Sequence, residues 1–297
     1  MNKIQNMSHN ATLNSVELID TISNNIFGYS MNGHRAKRYS FADFMNGGEV
    51  RDAGYSWSQG KQEPRSGEWT KLMIKGRGFF TVKNPKNQEN IYTRLGDFHL
   101  DAEGNLVTME GFRVQGVPLA GSATRLQSNP GDVNVYDTFN PHFADPYNNP
   151  HTNNKQFMNP PGQALAPAQD INLGLDRRNG RYLGSFDEVR VGEDGVIYGR
   201  DGNNMVSLYK LTLVDFNNLN GLKDVKDGIF FKATDRSGLP SMAVSDSIVI
   251  PEALEKSNTW MKVEAHNLTD AQRYFQAASQ VHKLADKISG TAIEMIQ

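Results

Sequence analysis

The sequence has no cysteine among its 297 residues. Disulfide bonds, thiolate nucleophiles and cysteine metal sites are therefore excluded. It also has no apolar run approaching the about 18 residues of a membrane-spanning helix, and no basic segment followed by an apolar run at its N-terminus. We therefore expect no membrane insertion. The protein should either stay in the cytoplasm or leave it through a machine that needs no cleaved signal.

An excess of either charge is also missing. The chain has 31 basic and 33 acidic residues, which gives a net charge of −2. Without a basic excess we expect no nucleic-acid partner. A nearly neutral surface does not oppose self-association. Apolar residues make up 38% and the mean hydropathy is −0.57, so the chain can bury a core, although not necessarily along its whole length.

Motifs for catalysis or ligand binding are scarce. The glycine pair at 76–78 has no third glycine and no following helix, which argues against a nucleotide loop. His142, Asp145 and His151 could meet around a metal, but they lie in a polar stretch without a predicted scaffold. Residues 101–105 lack the ligand spacing of a calcium loop and predict a hairpin turn. We predict no catalytic residues, no cofactor and no metal.

The C-terminal stretch 268–297 carries the clearest pattern in the chain. Apolar residues recur at alternating spacings of three and four at Ala271, Tyr274, Ala278, Val281, Ala285, Ile288, Ala292 and Met295. This repeat predicts a helix with one supercoiling seam, and its all-alanine row permits close approach of a partner helix. Thr269 followed by Gln272 predicts a capping box at the start of the helix. An amphipathic helix packed on its own domain fits the same pattern.

A second amphipathic helix is predicted near the N-terminus. Residues at helical spacing are Ala11, Ser15, Leu18, Ile19, Ile22 and Ile26. Asn24, Asn25 and Gly28 are expected to end this helix. Because short isolated helices are marginal in water, we expect it to order by packing against the C-terminal seam. The interface residues predicted on this helix are Leu18, Ile19, Ile22 and Ile26.

The region between the helices changes to the period of strands. Residues 46–70 are rich in glycine and charge and predict an extended linker. Residues 71–250 contain short strands separated by turns, which predicts an antiparallel all-β domain. Within it, residues 119–169 lose periodicity and predict a long surface insertion. The prediction is an α+β chain: an N-terminal segment 1–45, the linker, the β domain, and a C-terminal helical segment 251–297 that forms a coiled-coil-like inner domain with the N-terminal helix.

The β region contains a signature that resembles the family of bacterial flagellar rod and hook proteins, with rod proteins as the nearer group. Its residues are Gly76, Gly78, Phe79, Phe80, Tyr92, Thr93, Arg94, Gly96, Phe98, Asp101, Gly104, Leu106, Val107, Gly111 and Phe112. The N-terminal Asn24, Asn25 and Gly33 resemble the motif at the end of the family's first helix. The family's terminal helix resembles the segment around Ala271 and Tyr274, and implies a helix start near Asn258.

Four residues depart from the family pattern. Phe27, Gly28 and His34 replace residues that are usually small, asparagine and aromatic, respectively. Arg77 stands where an acidic or amide residue is usual. The insertion is longer than expected for a plain rod subunit, and the outer domain typical of hook proteins is missing.

The resemblance implies a structural, non-enzymatic subunit that polymerises into a helical tube, with terminal helices inside and β domains outside. It implies export through the flagellar type III apparatus, with Phe41 and Met45 fitting the export element. The implied place is the rod in the periplasm, among copies of itself and other rod or hook subunits, with ring proteins as a further expected partner. Two alternatives stay open: a hook or hook–rod junction protein, and a secreted β-rich enzyme or carbohydrate-binding protein.

Overall fold

The chain divides into two compact units. The structure, a computed structural model, describes residues 3–39, 54–119, 168–174, 186, 188–201, 204–242 and 247–294. The terminal unit combines Met1–Ser58 with Ser257–Gln297, and the β unit is Gln59–Lys256. None of the helices in these described ranges is long and apolar enough to cross a membrane.

Some predictions concern positions outside the described residues. These are the export residues Phe41 and Met45, the residues His142, Asp145 and His151, positions 120–167 of the predicted insertion, and Met295. Ala292 lies near the end of the C-terminal helix.

Two long helices form the terminal unit. Helix α1 is Lys3–Gly28 and helix α2 is Met261–Glu294. They run antiparallel, because Gln5 of α1 hydrogen-bonds Asp286 near the end of α2, at 3.0 Å, while Asn25 bonds Glu264 near its start, at 3.3 Å. The predicted N- and C-terminal helices are therefore both present.

Helix α2 starts earlier than the capping box predicted, whereas helix α1 ends at Gly28, one of the residues expected to end it. Thr269 is not an N-cap, because α2 begins two turns earlier and the Thr269 hydroxyl donates to the Ala265 carbonyl at 3.0 Å, inside the helix. The start near Asn258 that the resemblance implied is closer. Helix α1 ends at Gly28, where the Tyr29 amide closes a tight last turn on the Ile26 carbonyl at 3.2 Å. Asn24 and Asn25 lie inside the last turn of α1.

The β unit consists of short strands joined by turns. The strands are β1 Gln62–Pro64, β2 Leu72–Lys75, β3 Phe79–Lys83, β4 Asn90–Thr93, β5 Phe98–Leu100, β6 Leu106–Thr108, β7 Arg113–Pro118, β8 Gln169–Asp170, β9 Glu188–Val191, β10 Val196–Asp201, β11 Asn204–Leu211, β12 Leu213–Asp215, β13 Lys223–Lys226, β14 Phe230–Lys232, β15 Ser241–Met242, β16 Ile248–Pro251 and β17 Ala253–Glu255. Every pairing between described strands is antiparallel. The predicted antiparallel β domain is confirmed.

The largest sheet runs β13-β14-β4-β3-β7-β11-β10-β9, and two smaller sheets pair β1 with β17 and β2 with β16. The core of the β unit is rich in aromatic side chains. The Phe80 and Phe98 rings meet edge to face with centroids 5.2 Å apart, and Tyr92 meets Phe216 in the same way at 4.8 Å. Such aromatic contacts bury large areas in fixed geometry and stabilise the packing of short strands.

The turn predicted at residues 101–105 and a second turn at residues 192–196 each close a hairpin. Gly104 and Gly195 both adopt positive φ, at 83° and 75°. An aspartate precedes each glycine and binds the turn: the Asp101 carboxylate accepts the Asn105 amide at 2.7 Å, and the Asp194 carboxylate accepts the Val196 amide at 3.0 Å. The residues 101–105 therefore form a hairpin turn, as predicted.

The edges of the β unit lie outside the range expected from sequence. Residues 62–64, expected in the extended linker, form β1 and pair with residues 253–255, which were expected within the C-terminal helical segment 251–297. The sequence Ala-Leu-Glu gave no strand signal by itself, because this strand is defined by its partner across the sheet. The predicted insertion also ends one residue too late, because Gln169 begins strand β8, which pairs with β7.

Candidate subunit-contact site

The alanine row of α2 faces α1. Glu264, Ala271, Ala278 and Ala285 follow one another at seven-residue intervals and are all buried. Ala271 packs in one cluster with Leu18 and Ile22 of α1, and all three are completely buried. Alanine side chains are short, so the two helices can approach closely along this row. Of the predicted interface alanines, Ala271 packs against the N-terminal helix, and Ala278 and Ala285 are buried on the same face of α2.

The residues in the second row of the predicted seam differ in burial. Tyr274 is partly buried and packs against the cluster, whereas Val281 and Ile288 are exposed. The residues four positions after Glu264, Ala271 and Ala278 are Leu268, Phe275 and His282, and all three are partly buried. In a seven-residue repeat, the second row of the seam can lie three or four positions after the first row. Here the row that α1 covers lies four positions after it.

The α1 side of the interface is more polar than expected. Leu18 and Ile22 are buried, and Ile19 and Ile26 are partly buried against the same cluster. The remaining buried side chains of α1 are Ser8, Ser15, Thr21 and Asn25. The Ser15 hydroxyl donates to the Ala11 carbonyl at 2.7 Å, so serine serves as another small residue with its hydrogen bond satisfied inside the helix. Helical periodicity identified the apolar residues of this face and Ser15, but not Ser8, Thr21 or Asn25.

Helix α2 also carries an exposed apolar stripe. We define the α2 stripe as Ala277, Val281, Leu284 and Ile288, which are spaced by four, three and four residues. The three large members are 49%, 58% and 58% exposed. This spacing places them on one helix face beside the alanine row. A row of exposed aliphatic residues on a long helix is a signature of a contact with another molecule.

Two buried asparagines bind the chain that follows α1. The Asn25 side chain accepts the Lys37 amide at 2.8 Å and donates to the Lys37 carbonyl at 2.9 Å, so it pairs with the backbone as a neighbouring strand would. The Asn258 side chain accepts the Ala36 amide at 2.8 Å and donates to the Ser56 carbonyl at 2.7 Å. Together they fix the residues after α1 between its own end and the start of α2.

In the β unit, Arg94 organises the glycine pair at 76–78. Its guanidinium donates to the Gly76 carbonyl at 2.9 Å and to the Gly78 carbonyl at 2.6 Å. Both glycines have positive φ, at 96° and 117°, a conformation that other residues rarely adopt. Arg94 also pairs with the Glu255 carboxylate at 3.1 Å, and both side chains are buried. This buried ion pair holds the turn between β2 and β3.

A second glycine of the signature is required by close packing. A Cβ atom at Gly96 would lie 1.7 Å from the Leu72 carbonyl oxygen, which is a backbone atom that cannot move aside. The Leu72 amide in turn donates to the Gly96 carbonyl at 2.9 Å. Of the remaining signature residues, the apolar ones Phe79, Phe80, Phe98, Leu106 and Val107 are buried in the core. The signature therefore describes how this sheet is packed.

No group of three or more histidine, aspartate or glutamate side chains could hold a metal ion in the part of the chain that the structure describes. The charged side chains there form scattered pairs, such as Arg113 with Asp170 at 2.9 Å.

Known proteins with similar sequences belong to the flagellum. A family model described as "Flagellar hook protein FlgE/F/G D1 domain" matches residues 73–141. The flagellar hook protein FlgE of Escherichia coli (strain K12) is 22% identical over 388 residues, which covers 93% of this chain and 96% of the relative. The flagellar basal-body rod protein FlgG of Buchnera aphidicola is 22% identical over 299 residues, with 91% and 90% covered. The FlgG of Agrobacterium fabrum is 24% identical over 224 residues, with 73% and 61% covered.

These matches support the flagellar hook and rod protein family for this chain. The relatives are named as subunits of the flagellar hook and rod, so the similarity supports a structural role and not an enzymatic one.

Two departures from the family pattern fit each other. A Cβ atom at position 28 would lie 2.1 Å from the His34 Nε2 atom, so the His34 ring occupies the space that any larger residue at Gly28 would need. His34 is buried, and its Nδ1 atom lies 3.2 Å from the Ser257 hydroxyl. Gly28 and His34 are therefore matched to each other. Arg77, which also departs from the family pattern, pairs with Asp215 at 3.1 Å.

Proposed function

We propose that this protein is a subunit of the flagellar rod and that it polymerises through its terminal unit. The observation that carries the polymerisation is the α2 stripe. The pairing with α1 uses the alanine row and leaves the stripe uncovered, although the stripe extends along about 16 Å of helix at 1.5 Å per residue. A second copy of the chain is the partner proposed for it.

The proposed contact suits an open polymer. The stripe lies on one side of the helix pair, and its partner on the next subunit need not be the same surface. A contact between two different surfaces adds subunits without closing on itself unless the rotation completes a ring. The near-neutral net charge of −2 leaves little electrostatic repulsion to oppose such addition.

The assignment to the rod is supported by alignment length. The alignment with the E. coli hook protein extends over 388 residues, more than the 297 residues of this chain, so that relative carries additional segments. The alignment with the Buchnera rod protein extends over 299 residues and covers 90% of that relative. The chain thus has the size of a rod subunit. The hook assignment is the second candidate, because identity to both groups is 22%.

Deleting the gene distinguishes these two positions. We expect basal bodies isolated from the deletion strain and viewed by electron microscopy to lack a completed rod and therefore any hook. If rods are complete and only the hook is missing, the protein is a hook subunit. Intact hook–basal bodies in the deletion strain would contradict both positions.

The stripe is tested by Leu284→Gln/Ile288→Gln in the full-length protein. We expect cells with this double variant to secrete the subunit normally and to be non-motile, because polar side chains weaken an apolar subunit contact. A matched control is Leu239→Gln, which makes the same exchange at a position that is 88% exposed in the β unit. Normal motility of the stripe variant, with normal secretion, would remove the stripe from the polymer contact.

Export through the flagellar type III apparatus stays a prediction carried by Phe41 and Met45. Phe41→Ala/Met45→Ala is expected to lower the amount of subunit found outside the cytoplasm without changing its total amount. Secretion at the normal level would show that the export element lies elsewhere. Contacts with surrounding ring proteins are proposed on the family resemblance alone, and crosslinking in isolated basal bodies would test them.

A further inference from the structure

Glu264 joins three segments of the terminal unit. It lies in the first turn of α2 and is 8% exposed. One carboxylate oxygen accepts from the Asn25 side chain of α1 at 3.3 Å, and the other accepts from the Tyr39 hydroxyl at 3.0 Å. Asn267, one turn further along α2, donates to the same Tyr39 hydroxyl. The buried carboxylate is therefore the point where α1, the residues after it and α2 are held together.

No basic side chain in the described parts of the chain lies within salt-bridge distance of this carboxylate. The groups that face it are the neutral amide of Asn25 from α1 and the phenol of Tyr39 from the segment after α1. Lys37 enters the cluster through its backbone, which binds Asn25. Glu264 is thus a buried acid whose charge is balanced by hydrogen bonds alone, a costly arrangement when the acid is ionised.

The two ionisable groups of the cluster respond to this environment in the same direction. Burial raises the pKa of the Glu264 carboxyl, and the hydrogen bonds from Tyr39 and Asn25 offset only part of that rise. Burial, followed by the nearby Glu264 charge, raises the pKa of Tyr39 far above its ordinary value, so the phenol stays protonated and can donate. The N-terminus of a helix favours a negative charge, but burial decides the direction for Glu264.

We propose that Glu264 makes the pairing of α1 with α2 sensitive to pH, so that acidification strengthens the pairing and neutral pH weakens it. The geometry that supports this is the single buried acid shared by all three segments without a cation. The consequence is a terminal unit that is weakly paired at neutral pH and that gains stability when the carboxyl takes up a proton.

The direction follows from linkage. An ordinary glutamate has a pKa of about 4.3 in the unfolded chain. Since the pKa is higher in the paired state, the paired state binds more protons between the two values. The stabilising contribution is fully present below about pH 4.3 and is lost as the pH rises through the paired-state pKa. Between these values, each pH unit changes the pairing equilibrium by up to about tenfold for one proton.

The test compares the full-length protein with Glu264→Gln. Both long helices of the described chain lie in the terminal unit, so ellipticity at 222 nm reports their pairing. Thermal melts of monomeric samples from pH 8 to pH 4.5 are expected to show a higher helix midpoint for the glutamine variant at pH 8. Glutamine keeps an acceptor for Tyr39 without a charge. The difference from the unmodified protein should disappear as the pH falls.

Two further variants sharpen the test. Tyr39→Phe removes a donor that lowers the pKa of Glu264, so that pKa should rise further and the pH response should extend to higher pH. Glu17→Gln makes the same exchange at an exposed position on α1 and should follow the unmodified protein at every pH. The proposal is overturned if Glu264→Gln melts at or below the unmodified protein at pH 8. It is also overturned if the difference between the two proteins is the same at all pH values.

Discussion

Each of the two units of this protein contains a buried glutamate, and the two glutamates have different binding partners. In the β unit, Glu255 is paired with Arg94 at 3.1 Å and also accepts the Gly60 amide at 2.8 Å. In the terminal unit, Glu264 receives two neutral hydrogen-bond donors and no cation among the described residues. The buried Glu255 therefore has a counterion, whereas the buried Glu264 has none among the described residues.

The packing of the two units differs in the same direction. The β unit buries interlocking aromatic side chains, among them Phe80, Phe98 and Phe230. The terminal unit buries alanines and serines along one narrow face and leaves the α2 stripe exposed. Because hydrophobic stabilisation scales with the apolar area removed from water, small side chains stabilise the helix pair less. We infer that the β unit is stable by itself and that the terminal unit depends on neighbouring subunits.

Arg94→Ala should produce the largest effect. The substitution leaves Glu255 charged and buried, and it frees the carbonyl groups of the glycine pair at 76–78. Breaking a buried ion pair in this way typically costs about 3–5 kcal/mol. We expect urea unfolding of the β unit to show a loss of this size. Arg113→Ala breaks the more exposed pair with Asp170 and should cost about 0–1 kcal/mol. Equal losses in both variants would contradict the role given to Arg94.

Ala278→Leu/Ala285→Leu should affect the terminal unit and spare the β unit. Both alanines are buried on the row that faces α1, where overpacking costs about 1–3 kcal/mol per site. Each subunit of a polymer repeats this cost, so we expect loss of motility with normal secretion. Ala265→Leu is the matched control, because it adds the same atoms at an exposed position on α2 that lies outside the α2 stripe. Normal motility of the double variant would show that this row is not tightly packed in the assembled structure.

Long periodic patterns were sufficient to predict both helices and the antiparallel character of the middle region. The alanine row at seven-residue intervals identified the face of α2 that packs on α1, because small residues recurring on one helix face have few other structural reasons. Turns that contain an aspartate and a glycine could also be predicted from the sequence. Their conformation is set by local hydrogen bonds, such as that from the Asn105 amide to Asp101.

Features that depend on distant residues could not be predicted in this way. Strand β17 became a strand through pairing with β1, about 190 positions away along the chain. The side of the alanine row that α1 covers depended on the placement of that helix. The buried cluster around Glu264 joins residues from three segments, and an isolated glutamate in the first turn of a helix usually indicates a favourable charge at an exposed position.

Replacing residues 119–169 with a short glycine–serine linker should have the smallest effect. The lack of periodicity and the richness in asparagine and proline predict that this stretch is not part of the β core. The closure cost changes only slowly with loop length, so the free energy of unfolding of the β unit should change by about 1 kcal/mol or less. Because β8 at Gln169 pairs with β7, a matched replacement of residues 121–167 keeps that strand. If this shorter replacement prevents folding, the stretch belongs to the core.

Limited proteolysis of the monomeric full-length protein, followed by mass spectrometry, tests the difference between the two units most directly. If the terminal unit depends on neighbouring subunits, both ends of the chain should be cleaved first. A resistant fragment close to the β unit Gln59–Lys256, with internal cleavage allowed only in the insertion, should remain. The same ends should become resistant in assembled rods. Full-length resistance of a demonstrably monomeric sample would contradict this, because the helix pair would then be stable without a neighbour.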